Sequence, residues 1–222
     1  MNKPVDSWWT VVAIDPIAIR LVPWLSRRSA VTPTRLTLTA FVLGLGAAVA
    51  FALDAHVVGA ILYEIRFLFD CLDGKVARHR GETSEAGGFV DVACDMLVVG
   101  LCYATLTASV IDDSSWERFP LIIGVGLVTA SAWAQTYRRL RYGEGSRESG
   151  PAPGEQPGWL QQRRLKSYPS SVEAETASLF LAPLLLGEGG IVVVLLVSYL
   201  FYLVSIADSF RRTYAHAAAG TP

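Results

Sequence analysis

The chain has 222 residues, of which 52% are hydrophobic and 18% are charged. A soluble globular domain carries about 25% charged residues and a disordered chain is far less apolar, so the composition excludes both classes. The net charge of −1 argues against a nucleic-acid-binding protein, which would be basic. The three cysteines (Cys71, Cys94 and Cys102) form no CxxC pair and no cluster with histidine, so neither a disulfide framework nor a zinc site is implied.

Six apolar segments follow one another along the chain. The first, residues 36–53, contains no charged residue, and at about 1.5 Å per residue it nearly crosses a hydrocarbon core of about 30 Å. The others lie at about 56–74, 86–111, 119–138, 170–187 and 190–208. The pattern predicts an all-α integral membrane protein with six transmembrane helices, spanning residues 35–208.

The cations are segregated along the chain. Nearly all of the 19 Lys and Arg residues lie before the first segment, between the second and third, between the fourth and fifth, or after the sixth. The positive-inside rule then places both termini in the cytoplasm, in agreement with an even number of spans. We therefore expect a multi-pass protein of the cell membrane.

The parts outside the six segments have distinct compositions. Residues 1–34 mix tryptophan and aliphatic residues with charges, which favours an interfacial amphipathic helix, with a frayed loop as the alternative. Residues 141–167 contain a stretch rich in Gly, Pro, Ser and Glu, typical of a mobile loop. Residues 209–222 form a C-terminal tail.

Four aspartates interrupt the apolar pattern at helical spacings. Asp70 and Asp73 end the second segment, and Asp91 and Asp95 begin the third, so each pair lies on one helix face. The short connection predicts antiparallel neighbouring helices and convergence of the four carboxylates. Together they would repel one another, which favours a magnesium or manganese site with one divalent ion or two, and two is the expected number. The alternative is solvated carboxylates at helix ends.

Small residues and one arginine accompany the aspartates. Gly74, Ala77 and Gly87 allow close approach of a ligand's phosphates to the backbone, and Arg78 suits phosphate oxygens. Residues 70–95 fit the pattern D-x2-D-G-x2-A-R-x8-G-x3-D-x3-D at every fixed position. In this motif the chain resembles the CDP-alcohol phosphatidyltransferase family. The resemblance implies a membrane enzyme, often a homodimer, that transfers the phosphatidyl group of a CDP-linked lipid to an alcohol and releases CMP.

The resemblance also implies residue roles. Asp70, Asp73 and Asp91 would be the core metal ligands, and Asp95 a second-metal ligand or the general base. The residues expected around CDP are Asp70, Gly74, Ala77, Arg78 and Gly87, with Thr34 and Thr37 at the start of the first segment.

The sequence specifies the alcohol acceptor less well than the CDP-linked donor. The basic residues Arg138, Arg139 and Lys166 favour a phosphorylated polyol such as inositol phosphate or glycerol phosphate, although anionic lipid headgroups attract the same residues. Glu173 either contacts the acceptor or belongs to a capping arrangement with Ser170 or Ser171. Arg66 is expected to pair with Asp70 or Glu64.

Two other classes of protein place acids in membrane helices. A membrane prenyltransferase also binds pyrophosphate through aspartates and magnesium, but its motif lacks the Gly-x2-Ala-Arg continuation. A divalent-cation transporter needs a path across the bilayer, whereas these acids lie in the cytoplasmic half. Both remain alternatives at the level of sequence.

Overall fold

The computed structural model describes residues 5–111, 118–142, 158–166 and 168–218. Within these ranges there is no β-strand, and all regular structure is helical, as predicted. The helices are α1 (Asp15–Ser26, preceded by the π-helical turn Thr10–Ile14), α2 (Pro33–Ala52), α3 (His56–Arg80), α4 (Glu85–Val110), α5 (Arg118–Tyr142), α6 (Gly158–Gln162), α7 (Ser171–Glu175), the π-helical segment Thr176–Leu181, α8 (Ala182–Leu185) and α9 (Glu188–Ala218).

The helix ends follow local capping chemistry. Thr32 is the N-cap of α2, where its side chain accepts a hydrogen bond from the Arg35 amide at 3.2 Å. Gly81 ends α3 in the left-handed conformation (φ 68°), which glycine adopts without steric cost. Ser84 caps α4 by accepting from the Gly87 amide at 3.1 Å. The chain therefore passes from α3 to α4 within a few residues.

Helix α2 is the centre of the packing. It packs along both α3 and α4, whereas α3 and α4 make few direct contacts with each other in the described part of the chain. The expectation that these two helices are close neighbours is wrong in this respect. A Cβ atom at Gly44 would lie 2.3 Å from Val98 Cγ1, so the α2–α4 approach depends on this glycine.

The N-terminal helix α1 packs against α3. Ile14, Ala18 and Val22 are buried in a cluster with Phe67 and Val76. The helix predicted here is present, and its exposed side chains include bulky apolar residues such as Val12, Ile17, Ile19 and Trp24. Its location at a membrane interface stays a prediction.

Three of the described helices are long and apolar enough to cross a membrane: Pro33–Ala52, Glu85–Val110 and Glu188–Tyr214. Apolar side chains along them are largely exposed, as at Val42 (66%) and Val197 (62%), which suits hydrocarbon better than water. The six-span arrangement and its orientation stay predictions.

Two segments predicted to lie outside the membrane helices contain helix in the structure. The segment expected as a loop over 141–167 ends in the short helix α6, and its last residues pair with the N-terminus: the Asp6 amide donates to the Arg164 carbonyl at 2.8 Å. Residues 143–157 lie outside the described ranges. The tail expected from residue 209 instead continues α9 to Ala218.

Candidate active site

Asp73 lies near the end of α3 and is anchored by α2. Thr37 donates a hydrogen bond from its hydroxyl to Asp73 Oδ2 at 2.6 Å, and both side chains are buried. The same hydroxyl lies 3.2 Å from the Pro33 carbonyl of its own helix. Thr37, which the sequence placed near the nucleotide, therefore lies at the carboxylate site and fixes the rotamer of Asp73.

Arg66 connects the carboxylates of α3 with those of α4. Its Nη2 contacts Asp95 Oδ1 and lies 3.7 Å from Asp70 Oδ1. The predicted pairing with Asp70 is confirmed, and the contact with Asp95 was not anticipated. Glu64 is not a partner in these contacts; it accepts a hydrogen bond from Trp9 Nε1 at 2.9 Å.

A narrow cleft lies where α2, α3 and α4 meet. Its lining consists of Thr37, Ala40, Phe41, Arg66, Asp70, Cys94, Asp95 and Val98. Two of the four predicted aspartates line this cleft, Asp73 is joined to it through Thr37, and Asp91 lies one turn before Asp95 on α4.

The carboxylates fit a divalent cation by their chemistry. Four carboxylates are hard oxygen ligands of the kind that Mg²⁺ and Mn²⁺ prefer. As arranged, no three His, Cys, Asp or Glu side chains among the described residues are grouped closely enough to hold a metal ion. The contacts of Asp95 with Arg66 and of Asp73 with Thr37 direct these two carboxylates toward protein partners.

The glycine and arginine of the motif lie together on α3. A Cβ atom at Gly74 would be 3.1 Å from Arg78 Nη1, so the guanidinium lies over the glycine. Ala77 is half-buried on the same helix, whereas Gly87 is exposed at the start of α4. These residues flank the aspartates without lining the cleft. Thr34 is exposed and is not the helix cap, which is Thr32.

The predicted acceptor residues have separate locations. Glu173 accepts from the backbone amide and hydroxyl of Ser170, both at 2.6 Å, and from the amide of Trp8 at 2.6 Å. These bonds agree with the capping alternative and tie α7 to the N-terminal helix. The Lys166 carbonyl accepts from Trp8 Nε1 at 2.6 Å. The side chains of Arg138 and Arg139 lie outside the described residues.

A buried charge cluster behind the motif was missed by sequence reasoning. Asp15 of α1 pairs with Lys75 of α3 at 3.1 Å and with Arg164 at 2.9 Å, and both Asp15 and Lys75 are buried. The only signal in the sequence is a lysine directly after Asp73-Gly74. Its partner is 60 residues away in sequence, which spacing rules do not reach.

Arg80, at the end of α3, holds the C-terminus of α1. Its guanidinium donates to the carbonyls of Ser26 at 2.9 Å and Val31 at 2.7 Å, and further to those of Leu25 and Arg28. The Leu25 carbonyl also accepts from the Arg28 amide, and the Arg28 carbonyl from the Val31 amide, both at 3.0 Å, so Arg80 adds to the backbone bonds at this helix end. Helix α3, which carries Asp70 and Asp73, is thus held to α1 by the Asp15–Lys75 pair and by the hydrogen bonds of Arg80.

Curated relatives match part of this chain. It is 32% identical over 108 residues to the bifunctional IPC transferase and DIPP synthase of Thermococcus kodakarensis, covering 49% of this chain and 25% of that protein. It is also 32% identical over 93 residues to the archaetidylinositol phosphate synthase of Methanothermobacter thermautotrophicus, covering 42% of this chain and 48% of that protein. The chain thus spans less than half the length of these relatives.

The fold resembles that of a phosphatidylinositol phosphate synthase of Mycobacterium tuberculosis. The crystal structure of that protein with CDP-DAG bound superposes with a TM-score of 0.58 at 19% identity, covering 90% of this chain and 92% of that chain. Its complex with manganese and citrate gives a TM-score of 0.59 at 20% identity, covering 90% and 88%. At this identity the likeness concerns the fold.

The family model of the CDP-alcohol phosphatidyltransferases matches residues 30–152, which is more than half of the chain and includes α2, α3, α4 and all four aspartates. The match agrees with the resemblance in the motif over residues 70–95. The chain therefore belongs to the CDP-alcohol phosphatidyltransferase family.

Proposed function

We propose that this protein is an integral membrane enzyme that transfers the phosphatidyl group of a CDP-linked lipid, such as CDP-diacylglycerol, to an alcohol and releases CMP. The observation that carries the proposal is the position of the motif aspartates, with Asp70 and Asp95 facing one cleft and Asp73 held beside it by Thr37. Family membership supports the same chemistry.

Asp70, Asp73 and Asp91 are the proposed ligands of a divalent cation, Mg²⁺ or Mn²⁺. When bound, such an ion neutralises the pyrophosphate and stabilises the leaving CMP. The Mycobacterium tuberculosis protein, whose structure contains manganese, supports the use of a divalent cation. Asp70, Gly74, Ala77, Arg78 and Gly87 are the proposed contacts of the CDP group. Thr34, whose side chain is exposed at the start of α2, is the weakest member of that set.

Asp95 is the proposed general base. Its carboxylate accepts the proton of the acceptor hydroxyl as the acceptor oxygen attacks the lipid-side phosphorus. A new bond forms between that oxygen and the phosphorus, and the bond from the phosphorus to the bridging oxygen of the pyrophosphate breaks. CMP leaves with the bridging oxygen. The 43% exposure of the Asp95 side chain is consistent with access for an acceptor.

The acceptor we favour is an inositol phosphate. The names of the relatives, an archaetidylinositol phosphate synthase and a phosphatidylinositol phosphate synthase, support it over glycerol phosphate. Arg138, Arg139 and Lys166 are the proposed cationic contacts for its phosphate. We further propose six membrane spans with the active site facing the cytoplasm, and a homodimer on the family resemblance alone.

The acceptor is tested with purified protein, CDP-diacylglycerol and magnesium, offered inositol phosphate, glycerol phosphate, serine and inositol in turn. We expect CMP release with inositol phosphate and none above background with the other three. Release with a different single acceptor would replace the acceptor assignment and keep the reaction class. Inhibition of the release by EDTA separates this enzyme from a cation transporter, and the requirement for a CDP-lipid separates it from a prenyltransferase.

A further inference from the structure

Glu175 is an acidic side chain of the fifth apolar segment that the proposed reaction does not use. It is the last residue of α7, directly before the π-helical segment Thr176–Leu181, and it is only partly exposed. A carboxylate in a segment proposed to span a membrane is costly, so the groups that compensate it indicate its role.

Two buried tyrosines donate hydrogen bonds to this carboxylate. Tyr63 of α3 donates from its hydroxyl to Glu175 Oε2 at 3.0 Å, and the hydroxyl of Tyr202 on α9 lies 3.5 Å from Oε1. Tyr63 and Tyr202 are each 2% exposed. Hydrogen bonds to a charged acceptor are the stronger ones, so the shorter bond holds the Tyr63 side chain in place.

The ring of Tyr63 joins this pair to the acidic cleft. The guanidinium carbon of Arg66 lies 5.4 Å from the ring centre, a cation–π distance, and Arg66 is 2% exposed. The negative charge of Glu175 also acts on the guanidinium. Nη1 of Arg66 is buried and has no hydrogen-bond partner among the described residues. The guanidinium therefore depends on the ring and on charged neighbours for its position.

Arg66 in turn contacts the proposed general base. Its Nη2 contacts Asp95 Oδ1 on α4 and lies 3.7 Å from Asp70 Oδ1. The side chain of Asp95 is 43% exposed, so packing alone does not fix its orientation. A series of direct contacts thus leads from Glu175 through Tyr63 and Arg66 to Asp95.

We propose that Glu175 is a positioning residue for Asp95 and acts through Tyr63 and Arg66. Its carboxylate fixes the ring, the ring supports the guanidinium, and the guanidinium orients Asp95 to accept the proton of the acceptor alcohol. The inference rests on the proposed function for the role of Asp95. The competing explanation is a purely structural one, in which Glu175 only joins α3 to α9 through Tyr63 and Tyr202.

Steady-state kinetics of CMP release separate the two explanations. Glu175→Gln keeps the shape of the side chain and removes its charge, and Tyr63→Phe keeps the ring and removes the hydroxyl. We expect each to lower kcat by about 10- to 100-fold with KM for the CDP-lipid unchanged, since a misplacement of about 1 Å can cost about 100-fold. Because both act on the same hydrogen bond, the double variant should lose no more than the more impaired single variant.

The route through Arg66 is tested in a second pair of variants. In protein that carries Arg66→Gln, the further change Glu175→Gln should leave kcat unaltered, because the guanidinium that transmits its effect is gone. Tyr199→Phe is the matched control and should keep the wild-type kcat. It also removes a buried tyrosine hydroxyl, but one that contacts Thr107 on α4 instead of Glu175.

The same position is measured without turnover in crystal structures of the wild-type protein and of Glu175→Gln. We expect the contact between Arg66 and Asp95 in the wild type and its loss in the variant. Retention of that contact in Glu175→Gln would overturn the proposal.

Wild-type kcat in Glu175→Gln and Tyr63→Phe would also overturn it, and so would losses that multiply in either double variant, since the residues would then act independently. If Arg66→Gln does not fold, the Glu175 and Tyr63 variants decide alone. Absence of CMP release from the wild-type protein would contradict the proposed function, and the crystal structures would still test the contacts from Glu175 to Asp95.

Discussion

At the scale of single residues, the hydroxyl of Thr37 directly supports Asp73, one of the carboxylates that we propose to bind the metal. It reaches Asp73 across the α2–α3 interface at 2.6 Å. Residues that orient metal ligands typically change metal affinity or activity by about 10- to 100-fold when replaced. The motif pattern over residues 70–95 does not include this position.

Thr37→Val keeps the shape of the side chain and removes the donor. We expect Mn²⁺ affinity and CMP release to fall by about 10- to 100-fold, measured by Mn²⁺ titration and by the rate of CMP formation. Thr39→Val is the matched control, since the exposed Thr39 hydroxyl donates only to the Arg35 carbonyl of its own helix. Equal behaviour of the two variants would contradict a role for Thr37 at Asp73.

The sequence predicted contacts within one helix better than contacts between helices. The spacing of Asp70, Asp73, Asp91 and Asp95 correctly placed each pair on one helix face, because this depends only on helical geometry. The bridge from Arg66 to Asp95 joins residues on different helices, and no local rule specifies such a contact. For Glu173 the sequence allows either a contact with the acceptor or a role in helix capping. Its bonds to Ser170 and Trp8 agree with the capping role.

At the scale of helices, close approach of α2 to α4 brings Asp95 next to the cleft. Gly44 makes this approach possible, because a Cβ atom there would meet Val98 Cγ1 at 2.3 Å. Gly46 lies two residues further along α2, where a Cβ atom would meet Leu62 at an ordinary 3.6 Å. The two glycines therefore have different structural roles.

Gly44→Ala is expected to lower the free energy of unfolding by about 1–3 kcal/mol, the usual cost of adding atoms to a packed interior. Gly46→Ala should be neutral or raise it by about 0.5–1 kcal/mol, the difference in helix propensity. Both are measured by unfolding in mixed detergent micelles. If Gly44→Ala were as stable as Gly46→Ala, the packing role of Gly44 would be wrong.

The charges between α1 and α3 provide a second test of helix packing. Asp15→Asn leaves the buried Lys75 ammonium without its partner at 3.1 Å. We expect a loss of about 3–5 kcal/mol in the free energy of unfolding, as for other buried pairs from which one partner is removed. The loss should appear in the same micelle titration.

Asp208→Asn is the control for this change. It disrupts the pairs with Arg211 and Arg212 near the end of α9, and such surface pairs contribute about 0–1 kcal/mol. Similar effects of the two substitutions would indicate that the Asp15 cluster is not a structural anchor. Apolar periodicity predicted α1 itself, whereas this cluster depends on side chains brought together only by folding.

At the scale of the whole molecule, the orientation in the membrane decides on which side the cleft opens. The distribution of Lys and Arg predicts that both termini lie in the cytoplasm. The helical segments agree with the six predicted apolar stretches in position, and three of them meet the length and hydropathy expected of a span. The charges of α3, among them Asp70 and Asp73, lower its hydropathy, and α3 is not one of these three helices.

Fusion of a fluorescent protein, which fluoresces only in the cytoplasm, tests the orientation. We expect fluorescence from fusions at both the N-terminus and the C-terminus, and no activity from alkaline phosphatase fused at the same two points. Fluorescence from one end only would indicate an odd number of spans. Phosphatase activity at both ends would invert the orientation.

The most direct test measures both products of the reaction and their dependence on the metal. Purified protein is given CDP-diacylglycerol and inositol phosphate with magnesium, and CMP and the lipid product are counted by mass spectrometry. We predict one CMP for each phosphatidylinositol phosphate formed, and no product after addition of EDTA or with Asp95→Asn, which should still bind the CDP-lipid. Product formation that continues in EDTA, or an Asp95→Asn variant that turns over near the wild-type rate, would contradict the proposed mechanism.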